Sequence, residues 1–83
     1  MSDLLNERQK THGDFEKNAI VSQAIKEILE SAGRDSLIAI HAEALDMIAV
    51  KIARILSGNP GHKDHWEDII GYATLALKAC KDD

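Results

Sequence analysis

Apolar and polar residues recur with helical spacing in three segments of the chain. From Phe15 to Ser31 the apolar positions gather on one face of a helix that turns about 100° per residue. A second helical pattern runs from about Leu37 to Leu56, and a third from about Asp64 to Ala79. Since no stretch alternates apolar and polar residues with β-branched enrichment, the sequence predicts no sheet.

Short polar residues, glycines and the only proline mark the ends of these segments. The run Ser57–Gly61, which contains two glycines and the proline, is expected to stop the second helix. The residues expected to cap or end helices are Asp14, Gly33, Asp35 or Ser36, and Asp64 with Glu67. Met1–Lys10 contains helix formers and is expected to be a short helix or a loose arm. The pattern therefore predicts an all-α fold, a small bundle of three main helices plus this N-terminal helix or arm.

The second helix is unusual because both of its sides look buried. Its broad apolar face carries His41, Ala44, Leu45, Ile48, Ile52, Ile55 and Leu56. Its opposite face carries Glu43, Met47, Val50 and Arg54, with Asp46 and Lys51 at the edges. An outer helix of a bundle would carry Lys, Glu and Gln on that second face. We therefore interpret it as a central helix with a core on one side and a site or a subunit interface on the other.

The length of the chain limits how much surface it can bury. Eighty-three residues predict a single helical domain over residues 1–83. A domain of this size buries only about 60–65% of the surface that its unfolded chain exposes. Because small helical chains often gain stability by association, we expect a homo-oligomer.

Charge and cysteine content exclude several classes of protein. Ten basic against 14 acidic residues give a net charge of −4, which argues against a general nucleic-acid-binding surface. The single Cys80 cannot form an internal disulfide, which suits a reducing compartment. No apolar run approaches the length of about 18 residues that would indicate a membrane span, and Met1–Lys10 lacks a hydrophobic leader. We therefore expect a cytoplasmic protein that does not enter a membrane.

Five acidic side chains are candidates for a Mg²⁺ site. They are Glu43, Asp46, Asp64, Glu67 and Asp68. Clustered carboxylates suit Mg²⁺, which keeps waters and substrate phosphates as its other ligands. However, the second and third helices should be antiparallel, which puts the start of the third about two turns or more from Glu43, so a partner subunit could be needed to complete the site. The alternatives are structural: Asp64 as an N-cap, Glu67 and Asp68 beside the helix dipole, and ion pairs with a nearby arginine.

Basic, histidine and aromatic residues form a second candidate set, for ligand binding. Lys51 and Arg54 are three residues apart and could meet a phosphate, for which the planar guanidinium offers paired donors. His65 could contact a ligand, and Trp66 and Tyr72 could stack on a base. The alternatives are that Lys51 is a solvated edge residue, that Arg54 pairs with an acid, and that the aromatics belong to the core.

Three sequence runs carry a resemblance to a known group of proteins. They are ERQKTHGDFEKN, EALDMIAVKIARILSGNP and KDHWEDIIGYATLA, which together extend over most of the chain. In these runs the chain resembles the small phage and prophage proteins described as MazG-like. That group is similar to a divergent branch of the all-α nucleotide pyrophosphohydrolases.

The resemblance implies an oligomeric helical bundle that binds Mg²⁺ through acids on two helices and splits a nucleoside triphosphate into monophosphate and pyrophosphate. It implies that Lys51 and Arg54 meet phosphates. The acids in the corresponding positions are Glu43 and Asp46, and Asp64 or Glu67 with Asp68, of which Glu43, Asp46 and Asp68 would be catalytic. The doubled-glutamate EExxE pattern of the enzymes is absent, because position 42 is alanine and the next acid is an aspartate. This departure favours nucleotide binding over hydrolysis.

Three functions follow as expectations. The first is a phage-type protein that binds a nucleotide, a cyclic nucleotide or a nucleotide-derived signal, and sequesters it against host defence in the host cytoplasm. The second is a nucleoside triphosphate pyrophosphohydrolase with Mg²⁺ as cofactor, and the third is a helical protein–protein interaction module. An enzyme predicts acids that converge across helices, a binder predicts bases and aromatics around a pocket, and an interaction module predicts an exposed apolar patch.

Overall fold

Three helices make up most of the computed structural model, which describes residues 14–81. Helix α1 is Phe15–Ser31, α2 is Ala39–Ser57 and α3 is Lys63–Lys78, with a 3₁₀ turn at Arg34–Ser36 between α1 and α2. No strand occurs in the described part of the chain. The all-α prediction with three main helices is therefore confirmed, whereas the expected helix or arm at residues 1–10 lies outside the described residues.

Helix α2 lies between the other two helices and packs against both, while α1 and α3 make little contact with each other. The backbone N–H of Asp14 donates to the carbonyl of Ser57 at 3.3 Å, which ties the start of α1 to the end of α2. Helices α1 and α3 thus bury two stripes of α2. The face that carries Glu43, Met47, Val50 and Arg54 is exposed or only partly buried, so its interpretation as a site or a subunit interface stays a prediction.

The boundaries of α1 follow the predicted chemistry. The carboxylate of Asp14 accepts a hydrogen bond from the N–H of Glu16 at 2.9 Å and caps the helix. After α1, Gly33 adopts a φ of +110°, in the left-handed region that residues with a Cβ rarely enter. Both predictions, Asp14 as the cap and Gly33 as the stop, are confirmed.

The predicted caps of α2 and α3 were wrong. Ile38 is the residue before α2, and its side chain makes no capping hydrogen bond. The predicted caps are engaged elsewhere, because the Asp35 carboxylate accepts from Arg34 and the Ser36 hydroxyl donates to the carbonyl of Gly33. His62 likewise precedes α3 without a side-chain cap. The acids expected to form its capping box are already inside the helix: Asp64 lies 3.7 Å from His62, and Glu67 lies 3.7 Å from Lys63.

The buried apolar core among the described residues is small. It consists of Ala44, Ala49, Ala53 and Ile55, all on α2. Ala49 and Ala53 lie on one side of α2 and Ala44 with Ile55 on the other, about 140° apart around the helix. Because the two partner helices bury these two stripes, the single broad apolar face predicted from the sequence is divided, and its members Leu45 and Leu56 are exposed. No described helix has the length and apolar character needed to cross a membrane.

Candidate functional site

A partly buried ion pair joins α2 to α3. Lys51 extends from the edge of the α2 stripe that packs on α3, and only 10% of its side chain is exposed. Its ammonium nitrogen Nζ lies 2.9 Å from Oδ2 of Asp68, whose side chain is 47% exposed. A buried lysine requires an anionic partner, since desolvation otherwise disfavours its charged form. The pair therefore places one shielded cation beneath one solvent-accessible carboxylate.

The groups around this pair are mostly basic. His65, one turn before Asp68, is 1% exposed, and its ring meets that of His62 edge-to-face with 4.8 Å between centroids. The hydrogen bond from Lys51 holds the pKa of Asp68 below its ordinary value, against a smaller opposing effect of partial burial. The charges of Lys51, His65 and Arg54 lower that pKa further. Asp68 is therefore ionised throughout the neutral pH range.

An open concavity of about 470 Å³ borders this cluster on α3. It is lined by Glu67, Asp68, Gly71, Tyr72, Thr74 and Leu75. Asp68 belongs both to the concavity and to the ion pair, so the ammonium of Lys51 contacts one residue of the lining. Tyr72 is half-buried one turn after Asp68 and supplies an aromatic ring at the same place.

The structure gathers four of the five residues predicted to bind a ligand. Lys51 contacts Asp68, and Tyr72 lines the adjoining concavity. The charges of His65 and Arg54 lower the pKa of Asp68. Trp66 does not join them. Its indole N–H donates to the carbonyl of Pro60 at 2.8 Å, and its ring is half-exposed on the opposite flank of α3.

The acids of α2 lie apart from this cluster. Glu43 is exposed. Asp46 faces the α1 side, where its Oδ1 lies 2.9 Å from Nη1 of Arg34. The hydrogen bond with Asp46, followed by that with Asp35, raises the pKa of Arg34 above its ordinary value. Asp46 therefore forms an ion pair with Arg34 on one side of α2, and Asp68 forms an ion pair with Lys51 on the other.

The acids predicted to be catalytic or metal-binding do not assemble within one chain. Among residues 14–81 there is no group of three or more His, Cys, Asp or Glu side chains placed to hold a metal ion. Asp64 and Glu67 are exposed on the first turns of α3. A single copy therefore brings no three of the five candidates together, and the Mg²⁺ site at Glu43, Asp46, Asp64, Glu67 and Asp68 stays a prediction.

One residue of consequence was not singled out from the sequence. Arg34 follows the glycine stop of α1, and its guanidinium bridges Asp35 and Asp46. Nothing in the helical periodicity marks this position, because the side chain leaves from a turn. The sequence signal for this contact is a charged residue directly after a helix stop. A side chain in such a turn lies close to the next helix and can form an ion pair with it.

Comparison with curated proteins gives no match, and neither does comparison with solved structures. Residues 2–80 match a family model described as a domain of unknown function, DUF6378. Because the match extends over nearly the whole chain, the protein belongs to the DUF6378 family.

Proposed function

We propose that this protein binds the phosphate of a nucleotide or a nucleotide-derived signal at the Lys51–Asp68 cluster. The observation that carries the proposal is the shielded ammonium of Lys51, paired with a half-exposed carboxylate that lines an open concavity. A structural ion pair of a helical bundle is ordinarily solvated, since burying a charge is costly and adds little stability. A shielded cation next to an accessible hollow is instead the arrangement that suits an anionic ligand.

The half-exposed carboxylate of Asp68 gives such a ligand a way in. Rotation of Asp68 toward solvent would free Nζ of Lys51 to donate to a phosphate oxygen. In the unliganded protein the carboxylate of Asp68 thus occupies the position that the phosphate would take. Arg54, half-buried one turn after Lys51, adds planar donors that suit a phosphate. Tyr72 offers a ring on which a base can stack. In the phage setting that the MazG-like resemblance suggests, such binding would withdraw a signal used by host defence.

Hydrolysis of a nucleoside triphosphate is the second candidate. It is supported by Asp68, which remains ionised and accessible in the concavity. The described residues of one chain form no group of three potential metal ligands, so Mg²⁺ would be held by Asp68 with water and phosphate oxygens or with acids from a second copy. Binding without turnover therefore agrees better with the arrangement of charges.

A thermal-shift and turnover screen tests the proposal. The purified chain is heated with nucleoside triphosphates and cyclic nucleotides, each with and without Mg²⁺, and the products are analysed. The informative variant is Lys51→Met, which keeps the shape and apolar stem of the side chain but removes the cation. The control is Lys26→Met on α1, which removes the same charge far from the concavity.

We expect at least one phosphate-bearing ligand to raise the melting temperature of the wild type and of Lys26→Met, but not that of folded Lys51→Met. No shift with any phosphate ligand would overturn the proposal. Product formation that requires Mg²⁺ and is lost in Asp68→Asn would replace binding with hydrolysis.

A further inference from the structure

We propose that the nucleotide bound at the Lys51–Asp68 cluster carries guanine, and that the base lies on α3 at Gly71 with its amino edge on Glu67. Because this base belongs to the ligand whose phosphate would contact Lys51, the inference rests on the proposed function. Gly71 and Glu67 are then the residues that select the base, whereas the phosphate contact does not distinguish one nucleotide from another.

Gly71 has no structural reason to be glycine within the described part of the chain. It lies in the middle of α3, where glycine is one of the weakest helix formers. Its backbone is helical, so it does not need the left-handed φ that Gly33 adopts. No neighbouring side chain needs the space, because a Cβ added at Gly71 would meet no atom within 4 Å. Glycine here leaves bare backbone in the lining of the concavity, as at sites where a ligand approaches the main chain closely.

The lining residues around Gly71 form two rows along α3. Glu67, Gly71 and Thr74 lie on one face of the helix in successive turns. The neighbouring row begins at Asp68 and continues with Tyr72. Because Gly71 has no side chain, the first row has a gap between Glu67 and Thr74, with the ring of Tyr72 beside it. The gap is therefore open to a planar ring that lies against the α3 backbone.

The first row presents hydrogen-bond acceptors at the two ends of this gap. The Thr74 hydroxyl donates its hydrogen to the carbonyl of Ile70 at 2.7 Å, so its oxygen is left with lone pairs only. The Glu67 side chain is 56% exposed, and its Oε1 lies 3.7 Å from Nζ of Lys63. Exposed ion pairs of this kind are weak, so the Glu67 carboxylate can turn to a ligand. A base that binds in the gap must therefore present N–H donors.

Guanine is the common base whose Watson–Crick edge matches a carboxylate. Its N1–H and its 2-amino group are adjacent donors that point the same way, and the two oxygens of a carboxylate can accept from both. Adenine and cytosine each place a ring-nitrogen acceptor beside the amino group, and a carboxylate repels that nitrogen. Uracil and thymine have a single N–H between two carbonyl oxygens. Glu67 therefore favours guanine over the other common bases.

Calorimetric titration of the full chain with three ligands tests the proposal. The ligands are guanosine triphosphate, inosine triphosphate and inorganic tripolyphosphate, each without Mg²⁺. Inosine differs from guanosine only in lacking the 2-amino group, and tripolyphosphate lacks both base and ribose. We expect the wild type to bind guanosine triphosphate about tenfold more tightly than inosine triphosphate, because the inosine base leaves one carboxylate oxygen of Glu67 without a donor.

Two variants assign this preference to its residues. Glu67→Gln keeps the size of the side chain but removes one of the two acceptors, and we expect the guanosine preference to fall to about twofold or less. Its matched control is Glu30→Gln, at an exposed position of α1, which should keep the wild-type preference. Gly71→Ala places a methyl group in the gap and should weaken binding of both nucleotides severalfold while leaving tripolyphosphate binding unchanged. Since alanine raises helix propensity, this loss would occur in a protein at least as stable as the wild type.

Failure of the guanine inference is distinguishable from failure of the proposed function. If the wild type binds none of the three ligands, the proposed function is overturned and the choice of base with it. If phosphate ligands bind but inosine triphosphate binds as tightly as guanosine triphosphate, only the guanine inference is overturned. It is also overturned if Glu67→Gln keeps the wild-type preference, or if Gly71→Ala binds guanosine triphosphate as tightly as the wild type does.

Discussion

Arg34 and Asp46, twelve residues apart, form a half-buried ion pair at 2.9 Å that ties the turn after α1 to the α1-facing side of α2. The same guanidinium also donates to Asp35 from both Nε and Nη2. Asp46 is thereby held on the opposite side of α2 from the Lys51–Asp68 cluster. Its position assigns it to the structure of the turn, and the predicted role in catalysis or metal binding has no support in a single chain.

Loss of this pair should affect stability and leave ligand binding unchanged. Asp46→Asn and Arg34→Gln should each lower the denaturant midpoint, because each leaves one charged partner part-buried without its counter-ion. The double variant should be less destabilised than the sum of the two single variants. Chemical denaturation of the four proteins measures this coupling. Additive losses would show that the two side chains do not stabilise each other.

The Lys51–Asp68 pair should make stability depend on pH in the acidic range. Because the folded-state pKa of Asp68 is lowered, its contribution is complete above the unfolded-state value of about 4 and is lost as the pH falls through the folded-state value. The melting temperatures of the wild type and Asp68→Asn should therefore differ most near neutral pH and converge toward about pH 2. A difference that does not change with pH would contradict this role for the pair.

Two glycines should respond to alanine in opposite directions. Gly33→Ala forces a Cβ into a φ of +110° and should destabilise the fold by about 1–2 kcal/mol, although the new Cβ would meet only Ser36 Oγ at 3.7 Å. Gly71 lies inside α3, and a Cβ there meets nothing within 4 Å. Gly71→Ala should therefore stabilise the protein by about 0.5–1 kcal/mol through higher helix propensity. Thermal unfolding of both variants provides the comparison, and equal shifts would contradict it.

The small core should not accept larger side chains. Ala53 is completely buried where α2 contacts α1, so Ala53→Leu should cost about 1–3 kcal/mol through overpacking. Ala24→Leu, at an exposed position of α1, is the control and should change stability by no more than about 0.5 kcal/mol. Urea unfolding measures both variants. If Ala53→Leu left the stability unchanged, the α1–α2 interface would have to contain enough space for the larger side chain, which would contradict this prediction.

The extent of the fold could be predicted because each helix satisfies a local rule. The apolar spacing of residues 15–31 and the conformational freedom of Gly33 act within a few residues, so Phe15–Ser31 was placed correctly. The caps of α2 and α3 were misplaced because Asp35 and Ser36 have hydrogen-bond partners that exist only once the 3₁₀ turn has formed. Short polar residues near a boundary do not specify which of several turns they will stabilise.

The candidate site was predictable only in part, for a geometrical reason. Residue spacing identified Lys51, Arg54 and Tyr72, which share a flank of the α2–α3 seam. Residue spacing also grouped Asp46 with the acids of α3. Spacing along α2 does not reveal which face of α2 packs on α1 and which packs on α3. The positions of α1 and α3 on two sides of α2 separate Asp46 from Asp68, and that arrangement is a tertiary property.

The arrangement of α1 and α3 on either side of α2, with little contact between them, also bears on how the chain folds. Every extensive helix contact joins neighbours in sequence, so each requires only a short loop to close. Chains dominated by such local contacts fold in microseconds to milliseconds. Either hairpin, α1 with α2 or α2 with α3, can form first and offer the free side of α2 to the remaining helix. The order of events is then set by the relative stability of two hairpins that share one helix, and not by the search for a distant contact.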